Sequence, residues 1–144
     1  LLLVEDNAVN QTVALAMLKP LGATVDVADN GVEALEATAA RTYDLVLMDC
    51  QMPEMDGFEA TRRIRSREAA SGGAHQIILA MTANAMAGDR ERCREVGMDD
   101  YLTKPVERSR LYAMIARWIP HFPERKSEEA AEAGGIASQK ETPS

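Results

Sequence analysis

Five short apolar segments, separated from one another by stretches with helical periodicity, constrain the fold of this chain more than any other feature of its sequence. Strands joined by helical crossovers lie parallel in one sheet, with right-handed connections. The segments are apolar on both faces, as a sheet covered by helices on both sides requires. We therefore predict an α/β fold with a doubly wound, five-stranded parallel sheet, for which the strand order 2-1-3-4-5 fits. The predicted strands are 1–4, 25–28, 44–48, 77–81 and 101–102.

The helices between these strands are predicted from capping residues and apolar spacing. Asn7 and Asn30 can cap the first two helices, Gly57 opens the third, the fourth runs from about Met86 to Val96, and Glu107 begins the last. The residues predicted to face the core are Val9, Val13, Ala14, Met17 and Leu18 in the first helix, Val32 and Leu35 in the second, Phe58, Ala60 and Ile64 in the third, and Leu111, Met114, Ile115 and Trp118 in the last.

Composition and charge exclude several classes of function. Hydrophobic residues make up 46% of the 144-residue chain, so the chain as a whole is not a disordered acidic polymer. The net charge of −7 argues against a nucleic-acid-binding domain, because phosphate contacts need a basic face. The longest apolar runs are about six residues, far below the ~20 of a membrane span. Cys50 and Cys93 fit no metal or redox motif and read as free, partly buried thiols. We expect a cytoplasmic domain that itself contacts neither nucleic acid nor membrane.

The chain is predicted to hold one folded domain, residues 1–119, followed by a linker or disordered tail, residues 120–144. Beyond residue 124 the sequence is rich in Glu, Lys, Ser, Ala and Gly, without apolar periodicity. Because the first residue is not Met and the chain opens inside an apolar run, we expect it to be a piece of a longer protein.

Polar residues that could bind a ligand or take part in a reaction follow four of the five predicted strands. Glu5 and Asp6 end the first strand, Asp49 the third and Thr82 the fourth, while Lys104 lies just after the fifth. Since ligands bind outside the carboxyl ends of the strands in open α/β sheets, these side chains should meet at one edge. Each residue alone is more often a turn, a cap or a solvated charge, but their joint occurrence indicates a site.

Three carboxylates at one point of the structure would repel each other unless some stay protonated or a cation binds. A hard divalent ion with oxygen ligands is the natural solution, and Mg²⁺ suits a site with few carboxylates and several waters. We predict that Glu5 and Asp6 hold Mg²⁺, directly or through water. Asp49 would give one oxygen to the metal and keep the other reactive.

A carboxylate can attack phosphorus and form an aspartyl-phosphate, so Asp49 is the candidate nucleophile. The transferred group mainly needs its negative charge neutralised. Mg²⁺ would cover one oxygen, the mobile ammonium of Lys104 a second, and the hydroxyl of Thr82 a third, with help from the backbone N–H of Ala83.

Two backbone features lie beside these residues. Pro105 follows Lys104, and a cis peptide bond there would turn the chain and direct the ammonium inward, although sequence alone does not establish the isomer. Gly57 follows Asp56 where the loop enters the third helix, which is also what an ordinary turn would place there.

Four segments of the chain together resemble the receiver domain of response regulators. They are Val4–Asn7, Leu47–Gly57, Met81–Ala85 and Asp99–Pro105. The resemblance covers residues 1 to about 119 and implies the flavodoxin-like receiver fold. It also implies a role in two-component signalling: phosphorylation of Asp49 by a phosphohistidine on a histidine kinase or a histidine phosphotransfer domain.

The resemblance further implies the roles of individual residues. It gives Mg²⁺ a ligand set of Glu5, Asp6, Asp49 and the backbone carbonyl of Gln51. It makes Thr82 and Tyr101 a switch pair that changes the surface of the fourth helix, fifth strand and fifth helix. Gln51 and Asn84 occupy positions that tune phosphoryl loss in the family, at a rate that cannot be read from the sequence.

The sequences of residues 7–10 and 82–86 most resemble those of receivers attached to hybrid sensor histidine kinases. This context would place the domain in the cytoplasmic part of a membrane-anchored kinase. It is also compatible with a homodimer. The alternative is a stand-alone single-domain response regulator. A degenerate receiver used only for protein contacts is disfavoured by the intact acidic set.

Two other classes of protein share parts of this pattern. A Mg²⁺-dependent phosphatase with an aspartate nucleophile, resembling the haloacid dehalogenases, would carry a second acid where this chain has Gln51. A flavin-binding module would need a phosphate-binding loop after the first strand, where Glu5 and Asp6 would repel a phosphate.

The remaining conspicuous residues are predicted to be unrelated to the site. His75 and His121 are expected at the surface and Trp118 in the core. A solvated basic end of the third helix is expected from Arg62, Arg63, Arg65 and Arg67.

Overall fold

The computed structural model describes residues 1–83 and 87–120. Within them, five parallel strands form a single sheet in the order β2-β1-β3-β4-β5, which confirms the predicted fold class and strand order. The strands are β1 (Leu2–Val4), β2 (Asp26–Ala28), β3 (Val46–Asp49), β4 (Ile78–Thr82) and β5 (Asp100–Thr103).

Five helices connect and follow these strands. Asn7, Asn30 and Asp56 cap the first three, each accepting the backbone N–H of the residue three positions later. Those bonds satisfy N–H groups that have no partner within a helix. The helices are α1 (Ala8–Leu18), α2 (Gly31–Ala40), α3 (Gly57–Ser71), α4 (Ala87–Val96) and α5 (Arg108–Trp118).

Some of the sequence-based predictions fall outside the described residues. These are the start of the fourth helix at Met86, the position of Asn84, His121 and, except for its first residue, the linker predicted for residues 120–144. Among the described residues, no helix combines the length and the apolar character needed to cross a membrane.

The core has two halves, one on each face of the sheet. Alternate strand residues point to opposite faces, so Val46 and Met48 pack into one half while Leu47 packs into the other. One half includes residues of α2, α3 and α4, such as Ile64, and the other includes residues of α1 and α5, such as Leu111. The carboxyl edge of the sheet, between these layers, is where the strand-end residues emerge.

The predicted inner face of α1 is wrong in its first half. Val9 is 69% exposed and Val13 is 48% exposed, whereas Leu18 is fully buried and Met17 and Ala14 pack against the core. Only the second half of α1 lies against the sheet, because the helix begins at the carboxyl edge where the polar residues lie. Val32 of α2 is likewise 42% exposed, although Leu35 packs inward as predicted.

The expectation of a solvated basic end to α3 is also wrong for two of its arginines. Arg67 donates to the Leu35 carbonyl and to the hydroxyl of Thr38. The Arg65 side chain is only 17% exposed and contacts the carboxylates of Glu68 and Asp99, each at 3.0 Å. Sequence spacing does not reveal these contacts because Asp99 lies 34 residues away along the chain.

The groups around Arg65 form a hydrogen-bonded set that we call the Arg65 network; its members are Arg65, Glu68, His75, Gln76, Gly97 and Asp99. It lies at the amino edge of the sheet, since Asp99 also accepts the N–H of Ile78, the first residue of β4. His75 is exposed as predicted, yet its Nε2 lies 2.7 Å from Asp99.

Candidate metal and phosphoacceptor site

The carboxyl edge of the sheet brings three acidic side chains together. Glu5 follows β1, Asp6 comes next, and Asp49 is the last residue of β3, the strand paired with β1. Each can offer one carboxylate oxygen, and these oxygens lie within 4.8 Å of one another. Oxygens at this spacing can share one divalent ion. We call Glu5, Asp6, Asp49 and the neighbouring Lys104 the acidic cluster.

Glu5 is a buried acid that is held in place by the first turn of α1. Its Oε2 accepts the backbone N–H of Asn7 at 3.2 Å and lies 3.5 Å from the amide nitrogen of Asn10. The amide of Gln11 donates to the Glu5 carbonyl at 2.6 Å and so fixes the backbone. Burial by itself would raise the pKa of Glu5, but hydrogen bonds from Lys104 and from the Asn7 N–H lower it below its ordinary value.

Asp49 is 3% exposed, and its described contacts go through one carboxylate oxygen. Oδ1 accepts the backbone N–H of Gln51 at 3.1 Å and lies 3.1 Å from the Lys104 ammonium. Burial, together with the charge of Glu5, raises the pKa of Asp49 to about 6, against the hydrogen bonds from Gln51 and Lys104. An ionised Asp49 is therefore short of positive charge, which an added cation would supply.

Lys104 provides the positive charge in the cluster. Its Nζ lies 3.1 Å from Glu5 Oε1 and from Asp49 Oδ1, and its backbone N–H donates to the Thr82 carbonyl. Burial would lower the pKa of Lys104, but the two carboxylates raise it, so the ammonium stays charged. The following peptide bond, to Pro105, is cis. One cation thus faces three carboxylates.

Gly57 has a steric role that the sequence did not reveal. A Cβ at this position would lie 2.3 Å from the backbone oxygen of Asp49 and 2.9 Å from the side chain of Met48. The Gly57 N–H also donates to the Cys50 carbonyl at 3.1 Å. Only glycine allows the start of α3 to approach the strand end that carries Asp49.

Thr82 and Tyr101 lie on the neighbouring strands β4 and β5, but their side chains contact different partners in α4. The buried Thr82 hydroxyl donates to the Asp89 carboxylate at 2.9 Å. The half-buried ring of Tyr101 lies beneath the guanidinium of Arg90, 5.4 Å from its central carbon. The structure thus joins both residues to α4.

Sequence reasoning missed the residues that support the acidic cluster from the helices. Asn10 and Gln11 belong to the same helix as the cap Asn7, and their spacing from Glu5 could have suggested contact once α1 was placed. Asp89 had no such signal, because the orientation of α4 against β4 is a tertiary feature.

Together, a doubly wound parallel sheet, three carboxylates and a lysine at its carboxyl edge, and a hydroxyl on the next strand define the class of receiver-like α/β domains. Comparison with known proteins places the chain in that class. Residues 1–116 match the family model described as "Response regulator receiver domain". The chain belongs to the response regulator receiver domain family.

Relatives with solved structures share both the sequence pattern and the fold. The receiver domain of sensor histidine kinase PA1611 from Pseudomonas aeruginosa is 48% identical, covers 83% of this chain and 95% of that chain, and superposes with a TM-score of 0.74; its structure has a magnesium ion coordinated in the active site cleft. The receiver domain of Ssk1, in a complex with the histidine phosphotransfer protein Ypd1 of Saccharomyces cerevisiae, is 34% identical, covers 83% and 88%, and has a TM-score of 0.80.

Curated relatives are longer proteins. Hybrid signal transduction histidine kinase B of Dictyostelium discoideum is 49% identical over 117 residues, and sensor histidine kinase GacS of Pseudomonas protegens is 41% identical over 132 residues. The matches cover 76% and 88% of this chain but only 6% and 14% of those proteins. The chain therefore corresponds to one module of these kinases.

Proposed function

We propose that this domain accepts a phosphoryl group on Asp49 from a phosphohistidine, with Mg²⁺ bound by the three carboxylates of the acidic cluster. The observation that carries the proposal is the charge balance at the carboxyl edge, where the described residues place three carboxylates with oxygens within 4.8 Å of one another and a single ammonium. The excess negative charge of the carboxylates favours binding of a cation. The bound cation and the ammonium then offset the negative charge of an incoming phosphoryl group.

The donor set fits Mg²⁺ as the bound ion. All the candidate side-chain ligands, Glu5, Asp6 and Asp49, offer carboxylate oxygens. Hard oxygen ligands, few in number and partly open to water, are those that Mg²⁺ prefers over a softer metal such as Zn²⁺. Asp6 is exposed and leaves room for metal-bound water. The backbone carbonyl of Gln51 would complete the set.

The proposed chemistry needs little more than positioning and charge neutralisation. An oxygen of Asp49 attacks phosphorus, and the bond between phosphorus and the donor histidine nitrogen breaks as the new oxygen–phosphorus bond forms. When bound, Mg²⁺ neutralises charge on the phosphoryl oxygens. Lys104 reaches Asp49 Oδ1 in the structure and can move a short distance to pair with a phosphoryl oxygen.

The donor must reach a carboxylate that is almost fully buried, so its contact surface has to cover the rim of the site. The rim includes the exposed Val13 of α1. An apolar groove of about 310 Å³ lies between α1 and the β5–α5 connection and is lined by Val13, Met17 and Leu111 beside Lys104. Exposed apolar surface of this kind marks interaction sites. We assign it to a histidine kinase or phosphotransfer domain.

The similarity to hybrid kinases supports a place in a phosphorelay within a larger protein. In that setting the domain would receive the phosphoryl group from a kinase module, or exchange it with a phosphotransfer domain. The surface formed by α4, β5 and α5 would be altered through Thr82 and Tyr101, the proposed switch pair.

The direct test is phosphorylation of wild type and Asp49→Asn by phosphoramidate, a small donor that needs no protein partner. We expect complete loss in Asp49→Asn, because the amide is not a nucleophile towards phosphorus. Asp56→Asn is the matched control, since Asn also caps a helix and this acid lies outside the cluster. Equal labelling of Asp49→Asn and wild type would refute the proposal.

The metal is tested in the same assay. Chelation of Mg²⁺ is expected to stop labelling of the wild type, and added Mg²⁺ should restore it. Full labelling in excess chelator would contradict the metal role. Multiple turnover of a phenyl phosphate ester would instead favour an aspartate-dependent phosphatase.

The docking role of α1 is tested by Val13→Lys. Transfer from phosphorylated Ypd1, used as a surrogate donor, is expected to slow, while labelling by phosphoramidate stays unchanged. Val32→Lys, a similarly exposed valine on α2, is the matched control. An equal effect of the two substitutions would remove α1 from the docking surface.

A further inference from the structure

We propose that Asp89 of α4 is a positioning residue that holds the Thr82 hydroxyl in the unphosphorylated domain and must release it for phosphoryl binding. This inference rests on the proposed function. Breaking the hydrogen bond between Thr82 and Asp89 would oppose phosphorylation.

The contact between these two side chains is specific and shielded. Thr82 is 1% exposed, and its Oγ1 donates to Asp89 Oδ2 at 2.9 Å. Asp89 stands in the first turn of α4, where the helix dipole favours a negative charge. A hydrogen bond to an ionised acceptor is roughly twice as strong as one between neutral groups.

The hydroxyl of Thr82 has only one proton to donate. While that proton is donated to Asp89, it is not available to an oxygen of a phosphoryl group on Asp49. Phosphoryl binding that uses Thr82 therefore has to break the bond to Asp89. The carboxylate of Asp89 and the phosphoryl group on Asp49 would compete for one donor.

The next residue of α4 contacts the second proposed switch residue. The guanidinium of Arg90 lies over the Tyr101 ring at 5.4 Å. Neighbouring residues of one helix thus hold both members of the pair. Release of Thr82 by Asp89 would free the first turn of α4 to shift relative to β5, which couples the site to the α4 surface.

The test measures the affinity of the Mg²⁺-loaded 144-residue chain for beryllofluoride, which mimics a phosphoryl group on a carboxylate. Asp89→Ala removes the competing acceptor, and we expect it to tighten beryllofluoride binding about fivefold or more. Asp89→Asn keeps a weaker, neutral acceptor, so we expect an intermediate gain. This second variant also serves if Asp89→Ala proves too unstable to fold.

The same substitutions in a Thr82→Ala background separate positioning from general stability. Without the hydroxyl, Asp89→Ala should leave beryllofluoride affinity unchanged. An equal gain in beryllofluoride affinity in both backgrounds, or no gain when Thr82 is present, would overturn the role of Asp89. In either case, binding of beryllofluoride by the wild type would still support the phosphoacceptor function. Failure of the wild type to bind beryllofluoride in a way that depends on Asp49 overturns both.

Discussion

The two edges of the sheet carry charged clusters of opposite design. At the amino edge, the Arg65 network gives each carboxylate several donors: Glu68 accepts from Arg65 and from the N–H of Gln76, and Asp99 accepts from Arg65 and from the N–H of Ile78. At the carboxyl edge, the acidic cluster has one ammonium for three carboxylates, and the contacts described for Asp49 go through a single oxygen.

A cluster of charged residues does not by itself mark a functional site. Both clusters are partly buried and both contain acids beside a cation. The Arg65 network is satisfied by the protein alone, so it joins α3 to the starts of β4 and β5. The acidic cluster has fewer positive than negative groups, and we propose that a bound cation supplies the difference. Without that cation, burial raises the pKa of Asp49 to about 6.

Arg65→Met should show the largest effect on stability. Removing one partner of a largely buried ion pair leaves uncompensated carboxylates, so we expect a loss of about 3 kcal/mol in the free energy of unfolding. Urea denaturation measures it. Arg62→Met, an exposed arginine of the same helix, is the control and should change stability by less than about 1 kcal/mol. Equal effects would mean that the Arg65 network is no more than surface charge.

Lys104→Met should lower the rate of phosphorylation of Asp49. Lys104 is the group that we propose pairs with a phosphoryl oxygen, so its loss is expected to slow labelling of Asp49 by phosphoramidate about 100-fold at saturating Mg²⁺. Arg65→Met, assayed where it is fully folded, should label at the wild-type rate. A similar slowing in both variants would erase the distinction between the two clusters.

Asp49→Asn should change the pH dependence of stability in the absence of metal. A carboxyl whose pKa is raised to about 6 in the folded state stabilises the protein below about pH 4, and this contribution is lost as pH rises to 6 and above. Asn does not titrate. We therefore expect equal stability of wild type and variant near pH 4, and about 2 kcal/mol more for Asp49→Asn at pH 7.5 with chelator. Parallel stability curves across this range would contradict the raised pKa.

His75→Ala should have the smallest effect. His75 is exposed, and its bond to Asp99 lies at the rim of the Arg65 network. We expect less than about 1 kcal/mol of destabilisation by urea denaturation. A loss as large as that of Arg65→Met would show that the rim of the network matters as much as its centre.

Much of this molecule is predictable from the sequence because it depends on local patterns. The five apolar segments predict the sheet, and the capping residues Asn7 and Asn30 predict helix starts that the structure confirms. The topological rule for parallel sheets then places Glu5, Asp6 and Asp49 at one edge, where the structure brings their oxygens within 4.8 Å. Their roles in catalysis and metal binding stay predictions.

Other features depend on how helices are rotated and packed, which no local pattern encodes. The exposed face of α1 was misplaced because Val9 and Val13 have apolar side chains at helical spacing, yet only the second half of the helix reaches the sheet. In the sequence, Arg65 looks like a surface charge, because its partner Asp99 lies 34 residues further along the chain.

The order of strands and helices, and the residues that end each strand, thus follow from local sequence patterns, because side-chain alternation and connection rules act over short distances. Which charges meet, how deeply Asp49 is buried and that Asp89 accepts the Thr82 hydroxyl depend on the packing of the whole fold. Those properties arise from desolvation and from contacts between elements far apart in the chain.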